Sequence, residues 1–587
     1  MRLLPELIQT YQEFINKQKI MQKIWEVSHL ISKSFQDKFP EINPIILQLL
    51  ANRGFKTQKK IDEFLQPDYS QDVHDPFLLK DMKKAVRRIY QAIKNNEKVV
   101  ICGDYDTDGV TSSTVLFEVF KKIGVKNLQV YIPDREKDGY GLNKKAIKDF
   151  LKQKMDLIVT CDCGVSNIEE IDLANKSNID VIVTDHHREP PKLPNSLAII
   201  NPQLSREKYP FKFLAGVGVA FKLIQGLLKD KECSLSDKEA TEKWLLDLVA
   251  LGTIADFMPL LGENRVLSKY GLVVLNKTRN LGLKSLIKVS SLETGSLDAG
   301  NVGYQLSPRI NAAGRINHAT DALGLFLSVS QDEADEHARH LNSLNTQRQK
   351  ITEKVFKSIK VNEKDKIIVA LDEDWPGGVL GLVANKLVNA FSRPAIVLRK
   401  EGKNLTGSGR STEEFDLFSF LKEQSKYFEG FGGHRGAVGF TLKGTDCFND
   451  FKQSILKKAE KVLDSDMIAP KLFIESEISP DDINWSLYEE LIKFEPFGCE
   501  NSQPNFLIKN VVLEKIQAVG KNDKHYRLFI EGGRKMIYFN SASVMINFKS
   551  GEKIDIVFNL EVNQWNGTRE LQMKVIDIKK SKIKNKI

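Results

Sequence analysis

The chain has 587 residues, 41% of them hydrophobic and 28% charged, the composition of a soluble globular protein with room for about three or four domains. No apolar run reaches the roughly 18–20 residues that a bilayer crossing needs, and MRLLPELIQTYQEF at the start has acid and polar residues too early for a secretion signal. The net charge of +9 suits a polyanionic substrate, although a lysine-rich surface alone would also produce it. Six cysteines (Cys102, Cys161, Cys163, Cys233, Cys447 and Cys499) do not make a disulfide framework in so long a chain, so a reducing, cytoplasmic setting is expected.

Residues 1–74 read as short helix-and-stop units, a helical segment without recognisable chemistry. DPFLLKDMKKAVRRIYQAIKNNEK (75–98) predicts an amphipathic helix that leads into the strand VVIC. Asp104, Asp106 and Asp108 follow at once in GDYDTDG, and TSSTVLFEVFKKIG predicts a helix after them. Three carboxylates at alternate positions repel one another, and a hard divalent cation would offset that repulsion. An EF-hand loop also begins D-x-D-x-D-G, but its twelfth position needs Glu, and here it is Val115. A solvated acidic loop is the other plain reading of the same residues.

A strand–helix rhythm continues. LQVYIPD, DLIVTCDCG, DVIVTDHH and LAIINP predict strands, with helices at LNKKAIKDFLKQK and IEEIDLANKSN between them. Apolar strands alternating with helices imply a parallel sheet covered on both faces, with ligands beyond the carboxyl ends of its strands. Asp162 and Asp185-His186-His187 end two of these strands, as the aspartate triplet ends another. WLLDLVALGTIADFMPL predicts an apolar helix that breaks at Gly252 and presents Asp256; an acid there also fits a helix end satisfied by backbone amides. Carboxylates with imidazole favour Mn²⁺ or Mg²⁺, whereas Cys102, Cys161 and Cys163 lack the paired spacing of a structural zinc site.

QDEADEHARHLNSLNTQRQKITEKVFKSIKV predicts one long, charged helix with few core positions, suited to bridging two domains. A second, smaller α/β unit follows, and Arg315, Ser408 and Arg410 are expected in glycine-rich turns able to grip phosphate. Each arginine could equally serve an ordinary salt bridge. Gly432, Gly433 and His434 lie in FGGHRGAVGF, which reads either as a substrate-facing loop or as a packing turn. From about residue 470, short strands with turn signals predict a small barrel whose Tyr526, Phe529, Tyr538, Phe539 and Trp565 are split between core packing and base stacking. The tail KKSKIKNK is basic and reads as solvated.

The order GDYDTDG, CDCG, DHH, GTIAD resembles the first motifs of the DHH phosphoesterases, and LSPRINAAGRI, WPGGVLGLVANKL, GSGRS, FGGHRGAVGF and EPFGCENSQPNF extend the likeness to the family's bacterial single-strand-specific exonucleases. The resemblance implies a parallel-sheet DHH phosphoesterase domain (75–325), a connecting helix (326–365), a DHH-associated α/β nucleic-acid-binding domain (366–465) and an OB-fold barrel with a basic tail (466–587). It implies 5′→3′ hydrolysis of single-stranded DNA to 5′-mononucleotides with two Mn²⁺ or Mg²⁺ ions, in recombination and repair. The expected metal ligands are Asp104, Asp106, Asp108, Asp162, His186 and Asp256; His187 is either a ligand-shell residue or a donor to the scissile phosphate, and Asp185 orients an imidazole. Arg315, Ser408 and Arg410 would hold the 5′-phosphate; Arg309, Gly432, Gly433 and His434 would contact the strand. A monomer is expected, with a single-strand-binding protein and a RecQ-type helicase as partners. Pro376 stands where relatives commonly carry His. Two rival functions share parts of this pattern. A small-molecule phosphoesterase would not need the barrel, and a non-catalytic DNA-binding protein would not need the ligand set.

Overall fold

The computed structural model describes residues 23–520, 523–565 and 568–581. The stretch MRLLPELIQTYQEF, the tail beyond Ser581 and the side chain of Trp565 lie outside what is described. The chain divides into two units: residues 66–464 with 496–501, and residues 1–65 with 465–495 and 502–587.

The first strand, β1 (Ile24–Val27), belongs to the second unit. In the first unit, the amphipathic helix Met82–Asn95 buries Met82, Ala85, Val86, Ile89 and Ala92 along one stripe and stops at Asn96, which takes a left-handed φ of 53°. It leads into a wholly parallel sheet of β2 (Lys98–Gly103), β3 (Asn127–Tyr131), β4 (Leu157–Cys161), β5 (Asp180–Thr184) and β6 (Ala198–Ile200), ordered β3-β2-β4-β5-β6. Val99 and Ile101 enter the core on one face of this sheet, and Val100 and Cys102 enter the core on the other. Burial on both faces is why these strands read as unbroken apolar runs.

The register pairs Gly103 with Cys161 and Cys161 with Thr184, so Asp104, Asp162 and Asp185 leave the sheet at one level. From β2 the chain crosses to β3 on one side, and β4 then lies on the other side of β2. That reversal opens a crevice between the carboxyl ends of β2 and β4, the place where sheets of this kind bind ligands.

The 28-residue helix Gln331–Ser358 puts Ala338, Leu341 and Leu344 into the first core and Val355 into a second, so it bridges two cores as its sparse apolar pattern suggested. The second sheet comprises β7 (Ile368–Asp372), β8 (Ala395–Glu401), β9 (Asn404–Arg410), β10 (Phe428–His434) and β11 (Ala437–Leu442), ordered β10-β11-β9-β8-β7. Only β7 and β8 pair in parallel.

Several local expectations differ from what is observed. The helix Leu246–Ala255 runs through Gly252 without a break. A Cβ at Gly252 would collide with Thr111 Oγ1 and come within 3.0 Å of Asp108 Oδ1, so the glycine permits close packing and does not end the helix. Arg315 sits in the last turn of the helix Ser307–Ile316, and Ser408 and Arg410 lie on β9; none of the three is in a glycine-rich turn.

In the second unit β12 (Lys471–Ile474) pairs in parallel with β1, and β13 (Ser476–Glu477) borders a barrel of β14 (Phe506–Val519), β15 (His525–Ile530), β16 (Arg534–Tyr538), β17 (Lys553–Trp565) and β18 (Thr568–Lys580). The long β14 pairs with β17 through its first half and β15 through its second, which closes the ring. Residues 23–65 therefore pack with this unit and include a strand as well as helices. β1 is a strand, Arg53 pairs with Glu475, and Phe64 meets Phe494 edge-on at 5.2 Å. Pro496–Asn501, within the region 466–587 expected for the barrel domain, belongs to the first unit, where Cys499 O accepts the Leu260 N–H at 3.0 Å. Tyr538 is buried and Phe539 is half exposed.

Candidate metal centre

Three chain segments deliver the acids. Asp104 leaves β2 buried, with Oδ1 making no hydrogen bond. Asp106 caps the helix Thr107–Lys122: its Oδ1 accepts the N–H groups of Asp108 at 2.9 Å and Gly109 at 3.2 Å. Asp108 turns the other way. Its Oδ2 accepts the Gly216 N–H at 2.7 Å and its Oδ1 the Val217 N–H at 2.8 Å, at the start of the helix Gly216–Lys229. Asp162 ends β4 with φ +60°, a left-handed conformation that costs a non-glycine residue energy and is typical of functional sites. A Cβ on Gly216 would lie 2.7 Å from Asp162 Oδ1, so that glycine makes room for the carboxylate. Asp256 is the residue that closes the helix Leu246–Ala255.

His186 is the hub. Its Nε2 lies 3.1 Å from Asp162 Oδ1, 3.6 Å from Asp256 Oδ2 and 3.9 Å from Asp108 Oδ2. Asp104, Asp106 and Asp162 form one group whose ligand atoms lie within 4.8 Å of one another; Asp108, His186 and Asp256 form a second, and Asp162, His186 and His187 a third. Burial, followed by mutual repulsion among the carboxylates, pushes Asp104, Asp162 and Asp256 well above the usual range and Asp108 up to about 7. Burial and the neighbouring His187 push His186 down to about 4, which keeps its imidazole neutral and able to ligate. Buried oxygens of Asp104 and Asp162, and Nδ1 of His186, make no hydrogen bond. Polar atoms buried in this state are costly, and a hard divalent cation satisfies this mixed oxygen and imidazole set.

Asp185 belongs to the support of the site. Its Oδ1 accepts the His186 N–H at 2.7 Å and the His187 N–H at 3.0 Å and lies 2.8 Å from His187 Nδ1, while Oδ2 accepts the Val165 N–H at 2.9 Å. With both oxygens engaged, it orients His187. Burial lowers the His187 pKa, but the Asp185 carboxylate outweighs it, so the net shift is upward.

Tyr140 is a residue that the sequence reading missed. Its hydroxyl donates to Asp162 O at 2.7 Å and lies 3.1 Å from His187 Nδ1, so it braces both. The sequence signal, a tyrosine between two glycines of positive φ, is weak.

Arg315, Ser408 and Arg410, expected to grip a phosphate, lie close together, and Arg135 and Arg348 join them. Arg410 Nη1 donates to Ser408 Oγ at 3.2 Å, and Arg315 Nη1 donates to Gly378 O at 3.1 Å. Burial, then the nearby Arg135, Arg348 and Arg410, push Arg315 down to about 9, and Asp106 pulls in the opposite direction. The arginines thus crowd one another beside the acids, an arrangement that an anion would relieve. Arg135, stacked 4.7 Å over the Tyr105 ring, and Arg348, with a buried, unpartnered Nε, were not foreseen. Arg309 is held by Asn342 Oδ1 at 2.9 Å and Gln305 O at 2.6 Å.

In the β10–β11 hairpin, Gly433 has φ +136° and a Cβ there would strike Ala437 O, so its need is structural; Gly432 is exposed, with open space beside it. His434 is exposed by surface area but partly enclosed by its neighbours; partial desolvation and then the cations Arg410 and Arg188 lower its pKa.

Comparison with known proteins agrees with this geometry. The chain matches the DHH family, N-terminal domain over residues 98–253, the DHHA1 domain over 364–462 and the RecJ OB domain over 474–577. It is 39% identical over 546 residues to the single-stranded-DNA-specific exonuclease RecJ of Bacillus subtilis, covering 91% of this chain and 68% of that one. Identity to the Escherichia coli RecJ is 30% over 565 residues, covering 92% and 96% of the two chains. The crystal structure of Thermus thermophilus RecJ in complex with Mn²⁺ superposes with a TM-score of 0.81 at 25% identity, over 95% of this chain and 80% of that one.

Proposed function

This chain belongs to the RecJ family of single-stranded-DNA-specific exonucleases, and from that premise we propose that it removes 5′-mononucleotides from single-stranded DNA in the 5′→3′ direction. The observation that carries this reading is the pairing of an acid–imidazole cluster with an arginine pocket to which both domains of the same unit contribute, Arg135 and Arg315 from the first and Arg410 from the second. Relatives crystallised with Mn²⁺ or Mg²⁺ support a divalent cofactor, and two ions suit the ligand groups around Asp104–Asp106–Asp162 and Asp108–His186–Asp256. Such ions supply an acidified water and neutralise charge on the phosphoryl oxygens.

The chain's own residues do the rest. Asp106 presents one oxygen while the other holds the helix cap. His187, oriented by Asp185, whose carboxylate also raises its pKa, donates to the scissile phosphate. Arg410, Arg315, Arg135 and Ser408 take the terminal 5′-phosphate, which sets the polarity of digestion. His434 and the open face at Gly432 border the strand's path. Among the described residues no helix is long and apolar enough to cross a membrane. The family relation also supports a cytoplasmic monomer working beside a single-strand-binding protein and a RecQ-type helicase.

The test is digestion of 5′-labelled single-stranded DNA with Mn²⁺. The expected result is early release of labelled mononucleotide; release from the 3′ end alone would refute the reading.

A further inference from the structure

The helix Leu246–Ala255 ends in a complete Schellman motif: Asp256 is the cap, Phe257 N–H donates to Ile254 O at 3.2 Å, and Met258 N–H donates to Thr253 O at 3.4 Å. The residue after the cap of such a motif sits in the left-handed region and is usually glycine, because a side chain there crowds the backbone. Here that residue is Phe257, with φ +53°, and its side chain is 65% exposed. Neither local backbone preference nor burial accounts for a phenylalanine at this position. Its predecessor, Asp256, has Oδ2 3.6 Å from His186 Nε2, so the ring is covalently adjacent to the metal cluster.

The segment is also fixed in place. Asn264, fully buried, donates from Nδ2 to Pro259 O at 3.1 Å and to Phe213 O at 2.5 Å, and Leu260 N–H donates to Cys499 O at 3.0 Å. An aromatic ring that is exposed, held on a rigid turn and next to a phosphodiester-cleaving centre has the properties of a stacking platform. Base–aromatic stacking tolerates any sequence, as an exonuclease moving along a strand requires.

We infer that Phe257 is a substrate-binding residue that stacks on a nucleobase adjoining the scissile phosphate and so helps to seat single-stranded DNA over the metal cluster. The inference rests on the nuclease reading given above.

The test uses the full-length protein with Mn²⁺ and 5′-phosphorylated oligothymidylates, either intact or with one abasic residue at the first or second nucleotide. For the wild type, one of the two abasic substrates should lose about 5- to 100-fold in kcat/KM, the range that one stacked base is worth. Phe257→Gly should show the same loss on the intact strand, mainly through KM, and no further loss on the abasic one. Phe257→Trp should retain activity. Because glycine relieves the left-handed backbone, Phe257→Gly should also raise the melting temperature, which separates a lost contact from a damaged fold. If Phe257→Gly discriminates intact from abasic strands as the wild type does, stacking by Phe257 is overturned while the nuclease reading stands. Absence of Mn²⁺-dependent degradation by the wild type overturns both.

Discussion

Removing the divalent ion should destabilise the protein in a pH-dependent way, and the size of the effect follows from the acid cluster. Asp108 has its folded pKa raised from 3.8 to about 7, and Asp104, Asp162 and Asp256 are raised well above the usual range. A carboxyl whose folded pKa exceeds its unfolded value binds more protons when folded. Its stabilising contribution is complete below about pH 4 and is lost as pH rises through the folded value. For Asp108 the shift is about 3 units, and at about 1.4 kcal/mol per unit the loss by pH 8 is on the order of 4 kcal/mol. A bound divalent ion reverses the sign, because it favours the ionised acids and displaces their protons. Glu118 at about 7 and Asp247 at about 6 lie outside the ligand groups and also weaken the fold as pH rises, with or without metal. The informative quantity is therefore the increment in melting temperature on adding Mn²⁺ to chelator-treated protein, measured calorimetrically from pH 5.5 to 8.5. The increment should be small at pH 5.5 and grow to about 3 °C or more at pH 8.5, taking about 0.8 °C per kcal/mol for a chain this long. An increment independent of pH would mean that these carboxyls do not hold the ion.

Asp106→Ala should abolish hydrolysis by several orders of magnitude and also cost about 1 kcal/mol of stability through the lost helix cap, whereas Asp106→Asn should lose hydrolysis with a smaller fall in melting temperature. Arg410→Ala should reduce the preference for 5′-phosphorylated over 5′-hydroxyl DNA by about 10- to 100-fold, the worth of one charge-assisted bond, and leave the Mn²⁺ melting increment unchanged; a preserved preference would remove it from the pocket. Gly381→Ala places a Cβ 2.8 Å from Arg410 Nη2 and 3.1 Å from Ser408 Oγ, so it should give a milder form of the same defect in competition assays. Asp185→Asn should move the acid-to-neutral titration of His187, followed by NMR, to lower pH and depress kcat more than it raises KM.

The sheet and the identity of its terminal acids were legible in the sequence because burial on both faces leaves unbroken apolar runs, and a polar residue that ends such a run stands out. The barrel strands were legible for a different reason, turn signals between half-buried segments. What each aspartate does was not. Nothing local shows that Asp108 spends both oxygens on the Gly216 and Val217 amides, 108 and 109 residues away, or that Asp106 spends one on its own helix. Gly252 suggested a helix break because glycine is a poor helix former, yet crowding by Thr111 overrides that propensity. Arg348 has no signal on a long charged helix, where most charges are solvated. Only tertiary proximity to Arg309 and Arg315 distinguishes it. The parallel pairing of β1 with β12 joins residues almost 450 positions apart, beyond the reach of any periodicity.

Those two amide contacts bear on how so acidic a site can fold before an ion arrives. Asp106 sits at the start of the helix Thr107–Lys122, and Asp108 at the start of the helix Gly216–Lys229. Each carboxylate meets two backbone N–H groups and the positive end of a helix dipole, and both effects lower the cost of negative charge. Asp104 and Asp162 each keep a buried oxygen without a hydrogen bond and carry more of the repulsion. The division of labour follows from this contrast. The capped acids fix the geometry of the crevice between β2 and β4, and the uncapped pair, one on each strand end, holds the polar atoms that gain most from a cation.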